Sequence, residues 1–197
     1  MPPIDATPGT GAMPYRNTRE HWGHVSIALH WLTAVLVLGL LLVGFLMESL
    51  PNTPFKREVY VWHKSFGLIV GALTLLRIGW RLAQPSPRLP AEMARWKRYA
   101  ARAGHAGLYL LLLLMPVSGA LYNYASNFRT PLFDLVLLER AGSIDRELRA
   151  VAGAIHEWAA WALVALLLAH AAAALSHHYR WKDRVLHRMA PWIKPPT

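Results

Sequence analysis

Four stretches of this chain are long and apolar enough to cross a hydrocarbon layer, and they leave little choice of fold. "VSIALHWLTAVLVLGLLLVGFLM" (25–47), "GHAGLYLLLLLMPVSGALYNYA" (104–125) and "AIHEWAAWALVALLLAHAAAALS" (154–176) carry almost no charge. A fourth, "VYVWHKSFGLIVGALTLLRIGW" (59–80), has Lys64 and Arg77 near its ends, where long basic side chains reach the headgroups. A membrane-spanning helix needs about 20 such residues. Inside lipid, only a helix of that length satisfies its own backbone hydrogen bonds. The expectation is an all-α, integral membrane four-helix bundle, up-down and antiparallel, with helices at about 25–47, 59–82, 104–125 and 152–177. This bundle occupies 21–178. Before it, 1–20 is Pro-, Gly- and Thr-rich and reads as a flexible cytoplasmic tail. After it, 179–197 is a basic cytoplasmic segment.

The net charge of +10 follows topology and does not call for nucleic acid. Arg81, Arg88, Arg95, Lys97, Arg98 and Arg102 lie between the second and third spans, and Arg180, Lys182, Arg184, Arg188 and Lys194 follow the fourth. Segments 48–58 and 126–153 mix bases with nearly as many acids. Positive charge collects on the cytoplasmic side, so both termini are expected there. The chain has no cysteine, which excludes disulfides, cysteine-ligated iron–sulfur clusters and C-x-x-C-H haem attachment.

Histidines inside the spans are the chemical signal, because a polar side chain in hydrocarbon is costly. With this topology His30 lies near the inner end of helix one and His63 near the outer end of helix two. Helix four carries His156 toward the outside and His170 toward the inside. Fourteen residues separate that last pair, about 21 Å along the axis, and fourteen steps of about 100° return to nearly the same face. Each leaflet thus pairs an imidazole of helix four with one at matching depth on another helix, His170 with His30 and His156 with His63. Such pairs suit the two axial positions of a haem iron, and an iron so filled moves electrons instead of binding oxygen. Gly67 and Gly71, one and two turns past His63, are either a bed for a flat macrocycle or a small-residue helix-packing face. The membrane interior offers no Asp or Glu for a proton relay, and His177 with His178, or His21 with His24, lacks further ligands for zinc.

The segments "IALHW", "LLRIGWRL" and above all "HAAAALSHHYRWKD" resemble the bacterial cytochrome b561 family over roughly residues 20–190. The resemblance implies two b haems (iron protoporphyrin IX) held by His30, His63, His156 and His170, location in the bacterial inner membrane, and electron transfer to ubiquinone or another quinone. One activity known in the family is superoxide oxidation coupled to ubiquinone reduction. Similar proteins also serve as membrane subunits that take electrons from a periplasmic redox partner. The third possibility is a helical protein without haem.

On this reading several further residues acquire roles. Lys64, beside His63, is either an anion-steering charge or a snorkelling anchor. Arg77 and Arg81 are candidates to pair haem propionates, or topology anchors. His177, one heptad past His170, lies where an imidazole could give a proton to quinone. His105 is an alternative inner ligand. Trp31 and Trp161 sit deep enough to touch a macrocycle, whereas Trp22, Trp62, Trp80, Trp158 and Trp181 fit interfacial belts. "PLFDLVLL", within 126–150, is a candidate docking or interfacial segment.

Overall fold

A computed structural model describes residues 15–88, 93–133, 135–138 and 142–196. Four long helices dominate: α1 (His24–Leu46), α2 (Pro54–Ala83), α3 (Arg95–Ala125) and α4 (Arg146–Tyr179). All four are long and apolar enough to cross a membrane. A two-stranded antiparallel hairpin, β1 (Thr130–Leu132) and β2 (Leu135–Leu138), joins α3 to α4, and a short α5 (Val185–Met189) follows α4. The hairpin is an addition to the all-α expectation. Three helices also start well before the expected residue, α2 at Pro54 instead of 59, α3 at Arg95 instead of 104 and α4 at Arg146 instead of 152. Hydropathy marks only the stretch inside lipid, while a helix can begin in water, and in two cases a side chain caps its first turn. Asp145 does so for α4, accepting from the Leu148 amide at 3.0 Å, and Thr53 with Pro54 starts α2 in the same way.

The interior is not where the largest apolar side chains lie. The biggest fully buried side chains are Thr33, Ser65, Thr74 and Ser118. Each hydroxyl donates to the carbonyl four residues earlier, at 2.6, 2.8, 2.7 and 2.7 Å in that order. Meanwhile Leu32, Val35, Leu38 and Leu42 of α1 face outward. Lipid solvates leucine as well as a protein core does, so close approach of backbones through small residues holds such a bundle together. Gly107 shows this: a Cβ there would lie 3.0 Å from Leu166. Helix α3 runs through Pro116 without ending.

The long helices pack as α3 on α4, α1 on α2 and α2 on α3, whereas α1 and α4 are not among the closely packed pairs. The space between them is bridged at mid-height by Val37, Val70, Leu108, Leu112 and Leu163. Leu163 stands seven residues from both His156 and His170, about 10 Å from each. This apolar layer divides the bundle into an end that carries the chain termini and a distal end that carries the hairpin.

The termini end is more ordered than expected. Residues 15–20 belong to the fold: Asn17 is buried, its Oδ1 accepting from the Gly23 amide (3.0 Å) and the Ser26 hydroxyl (2.6 Å). Residues 1–14, the rest of the expected flexible tail, lie outside the described residues. The C-terminal segment folds back on α1, where Trp31 Nε1 donates to the Met189 carbonyl at 2.8 Å and its ring packs on Trp192. Arg188 donates to the Arg88 carbonyl at 2.7 Å, tying the segment to the α2–α3 connection.

Candidate functional site

At the distal end His63 of α2 and His156 of α4 line one cavity of about 960 Å³. Its walls are mostly apolar, and four glycines from all four long helices line it: Gly44, Gly67, Gly119 and Gly153. Two of them abut the imidazoles directly. A Cβ on Gly44 would sit 3.1 Å from His63 Cε1, and one on Gly119 would sit 3.2 Å from His156 Cε1. Gly67 meets nothing within 4 Å, so its missing side chain widens the cavity. Gly71 differs. A Cβ there would come within 3.0 Å of Pro116, which makes it a helix-packing position, the second of its two expected roles, and not part of a macrocycle bed.

The two distal imidazoles are held unequally. His156 Nδ1 lies 3.1 Å from the Met115 carbonyl and 3.0 Å from Ser118 Oγ. The carbonyl can only accept, and the Ser118 hydroxyl already donates to Leu114, so Nδ1 carries the proton. The Nε2 lone pair is then free for a metal, the arrangement that second-shell partners impose on ligating histidines. His63 Nδ1 is buried with no hydrogen-bond partner among the described residues. Neither Ser118, Gly119 nor the Met115 carbonyl was assigned a role from sequence. The "MPVSG" stretch of α3 held that signal, since Pro116 and two small residues within four positions let α4 approach.

Beside His63, Lys64 points inward. Its Nζ meets Asn123 Oδ1 at 2.6 Å and lies 5.4 Å from the Phe128 ring. Asn123, buried and unassigned from sequence, donates in turn to the Arg129 carbonyl (2.7 Å) and Thr130 Oγ1 (2.8 Å). The Phe133 amide donates to Ser65 Oγ at 2.7 Å. Together these bonds clamp the hairpin against α2 beside the cavity. Trp161 lines the cavity as its depth suggested.

At the termini end His30 of α1 and His170 of α4 face each other with ring centres 6.2 Å apart. Two metal–imidazole bonds of about 2 Å each, plus the distance from nitrogen to ring centre on both sides, come to roughly this span. His105 of α3 also reaches His170, edge to face at 5.5 Å, so three helices each bring an imidazole here. Arg77 Nη2 lies 3.2 Å from His30 Nδ1, and both Arg77 and Arg81 stack on Tyr109. No carboxylate pairs with Arg77 among the described residues. Trp31, bonded to the C-terminal segment, contacts His30 at 5.4 Å between ring centres.

His177 lies beyond this pair at the end of α4. Its Nδ1 hydrogen-bonds Asp183, a residue not singled out from sequence, and Trp181 stands edge-on at 4.5 Å. Lys97 of α3 caps the Trp181 ring at 3.8 Å. Among the described residues no three His, Cys, Asp or Glu side chains are arranged to hold a bare metal ion. A porphyrin supplies four of the iron's ligands itself, so two imidazoles per site suffice. The facing pair, the glycine-lined cavity and the free Nε2 of His156 all fit haem.

Four spanning helices with histidines paired in depth at both ends define a membrane cytochrome of the b type. The chain matches the prokaryotic cytochrome b561 family across residues 21–192 and belongs to that family. It is 34% identical over 183 residues to cytochrome b561 homolog 2 of Escherichia coli (strain K12), covering 90% of this chain and 95% of the relative. It is 33% identical to cytochrome b562 of Cereibacter sphaeroides, over 84% of this chain and 92% of that one. A probable superoxide oxidase, CybB, of Yersinia pestis is 29% identical, over 85% and 94%. Family membership makes this a multi-pass bacterial membrane protein that binds haem b and takes part in electron transport.

Proposed function

We propose that the protein holds two haems, one between His30 and His170 and one between His63 and His156, and carries electrons from a small donor at the distal end to a membrane quinone at the termini end. The observation that carries this reading is the facing of His30 and His170 at 6.2 Å together with the shared cavity of His63 and His156. Held by two imidazoles each, such haems would supply reversible one-electron couples. The basic excess near the termini end supports a cytoplasmic location for both termini, and the distal end then faces outward. The likeness to a probable superoxide oxidase supports superoxide as the donor and oxidoreductase activity.

The chain's own residues then have defined tasks. Met115 and Ser118 orient His156. Lys64, fixed by Asn123, puts a positive charge on the cavity wall. Arg77 and Arg81 offer guanidinium groups to propionates. In the observed contact Arg77 can only donate, so His30 Nδ1 accepts and Nε2 carries the ring proton. Were His30 to hold iron through Nε2, its Nδ1 would carry the proton, and Arg77 would then be available to a propionate instead. Asp183 accepts from His177 Nδ1, leaving Nε2 to take up a proton from the aqueous side and pass it to a quinone oxygen.

The purified protein is expected to show reduced b-type bands and about two irons per chain by metal analysis; colourless protein after haem supplementation would defeat the reading. In His177→Ala both haems are expected to remain, while quinone reduction falls by about 10²–10⁴-fold, the usual contribution of a general acid. Unchanged turnover would remove His177 from the mechanism.

A second reading, an electron-transfer subunit for a periplasmic partner, draws on the exposed Leu135, Val136 and Leu137 of the hairpin at the distal end. Copurification of a stoichiometric soluble subunit favours it, and superoxide consumption by the isolated chain favours the first.

A further inference from the structure

Next to the distal cavity lies a second, open hollow of about 550 Å³, lined by Tyr122, Ile144, Arg146, Arg149, Ala150 and Gly153. Tyr122 and Gly153 line both spaces, so the Tyr122 ring is the wall between them. That wall is held lightly. Arg149 Nη2 is 3.5 Å from the Tyr122 hydroxyl, its guanidinium lies 5.6 Å from the ring centre, and the ring is 37% exposed. A Cβ on Gly153 would approach the ring to 3.2 Å, so the glycine lets the ring lie close against α4. The charge of the hollow is one-sided. Arg146 and Arg149 are its charged residues, and neither pairs with a carboxylate among the described residues. Glu48 and Glu157 line the main cavity and not the hollow.

We infer that this hollow is the entry port for a small anionic electron donor, with Arg149 recognising the anion and the Tyr122 ring as the movable wall before the His63–His156 site. The inference rests on the haem reading above and adds a place and a charge requirement for the donor. A guanidinium beside a low-dielectric wall concentrates anions at the port, and screening by salt removes that advantage. When the ring swings aside, Arg149 loses its Tyr122 contacts and is free to follow the anion inward.

The test is stopped-flow reduction of the oxidised, haem-loaded full chain by two one-electron reductants of opposite charge. Dithionite acts through an anion, and reduced methyl viologen is a cation; each gives one electron to ferric iron. Arg149→Gln is expected to slow reduction by dithionite about threefold to tenfold at low salt, with the difference vanishing at high salt. Reduction by the viologen is expected not to slow. Tyr122→Ala is expected to accelerate both. Equal effects of Arg149→Gln on the two reductants, or no effect on either, overturn the port, as does a Tyr122→Ala protein with unaltered rates. Wild-type protein without haem would instead defeat the underlying reading, so the two failures are distinct.

Discussion

His170→Ala is expected to lose one haem and keep the other, with iron falling from about two to about one per chain. The side chain stands between His30 and His105, at 6.2 and 5.5 Å, and is the only one of the three that α4 contributes. Removing it would take away one of the two imidazoles that hold the termini-end haem, while His63 and His156 lie beyond the apolar layer around Leu163 and are untouched. The partner of His170 can be settled by the same measurement. With His30 as the second ligand, His30→Ala also loses one haem and His105→Ala keeps both. With His105 as the ligand, those two results exchange. Pyridine haemochrome and iron analysis on the three variants are sufficient, and a His170→Ala protein with two haems would rule out this site.

The pairing of histidines by depth was legible because a helix converts residue number into height and direction at fixed rates. Fourteen residues between His156 and His170 therefore fix both their separation and their shared face. What the sequence could not specify is how α3 turns toward α4. In a soluble bundle the apolar face of a helix identifies its inward side. Here Leu32 and Leu38 face out while Thr33 is fully buried, so hydropathy does not distinguish lipid from interior. Hence the cradle of His156 by Met115 and Ser118 was missed, and Gly71 stayed open between a macrocycle bed and the helix packing that its approach to Pro116 shows. Asp183 and Asn123 were missed for a related reason. Each acts through a bond made from a turn or from another helix, Asp183 to His177 and Asn123 to Lys64, that no periodicity reveals. The C-terminal segment follows the same rule: its attachment to Trp31 spans 158 residues of chain.

The glycines allow the distal site to be tested without touching a histidine. Gly67 and Gly39 are alike in one respect, since a Cβ on either meets nothing within 4 Å. They differ in what that space is: Gly67 lines the cavity beside His63, and Gly39 lies exposed on α1 among residues that face lipid. Leucine at either position is therefore expected to leave the bundle folded, and leucine is also the better helix former, glycine standing about 0.8–1.0 kcal/mol below alanine. Gly67→Leu, however, places four carbons in the space a macrocycle needs, one turn from its ligand. Its expected result is loss of the distal haem alone, again about one iron per chain, whereas Gly39→Leu keeps two. Combining Gly67→Leu with His170→Ala is expected to give folded, colourless protein, because the two changes act on sites separated by the apolar layer and their effects add. A Gly67→Leu chain that retains both haems would mean that the cavity between His63 and His156 is not where the second haem lies, and the pairing of those two histidines would have to be abandoned.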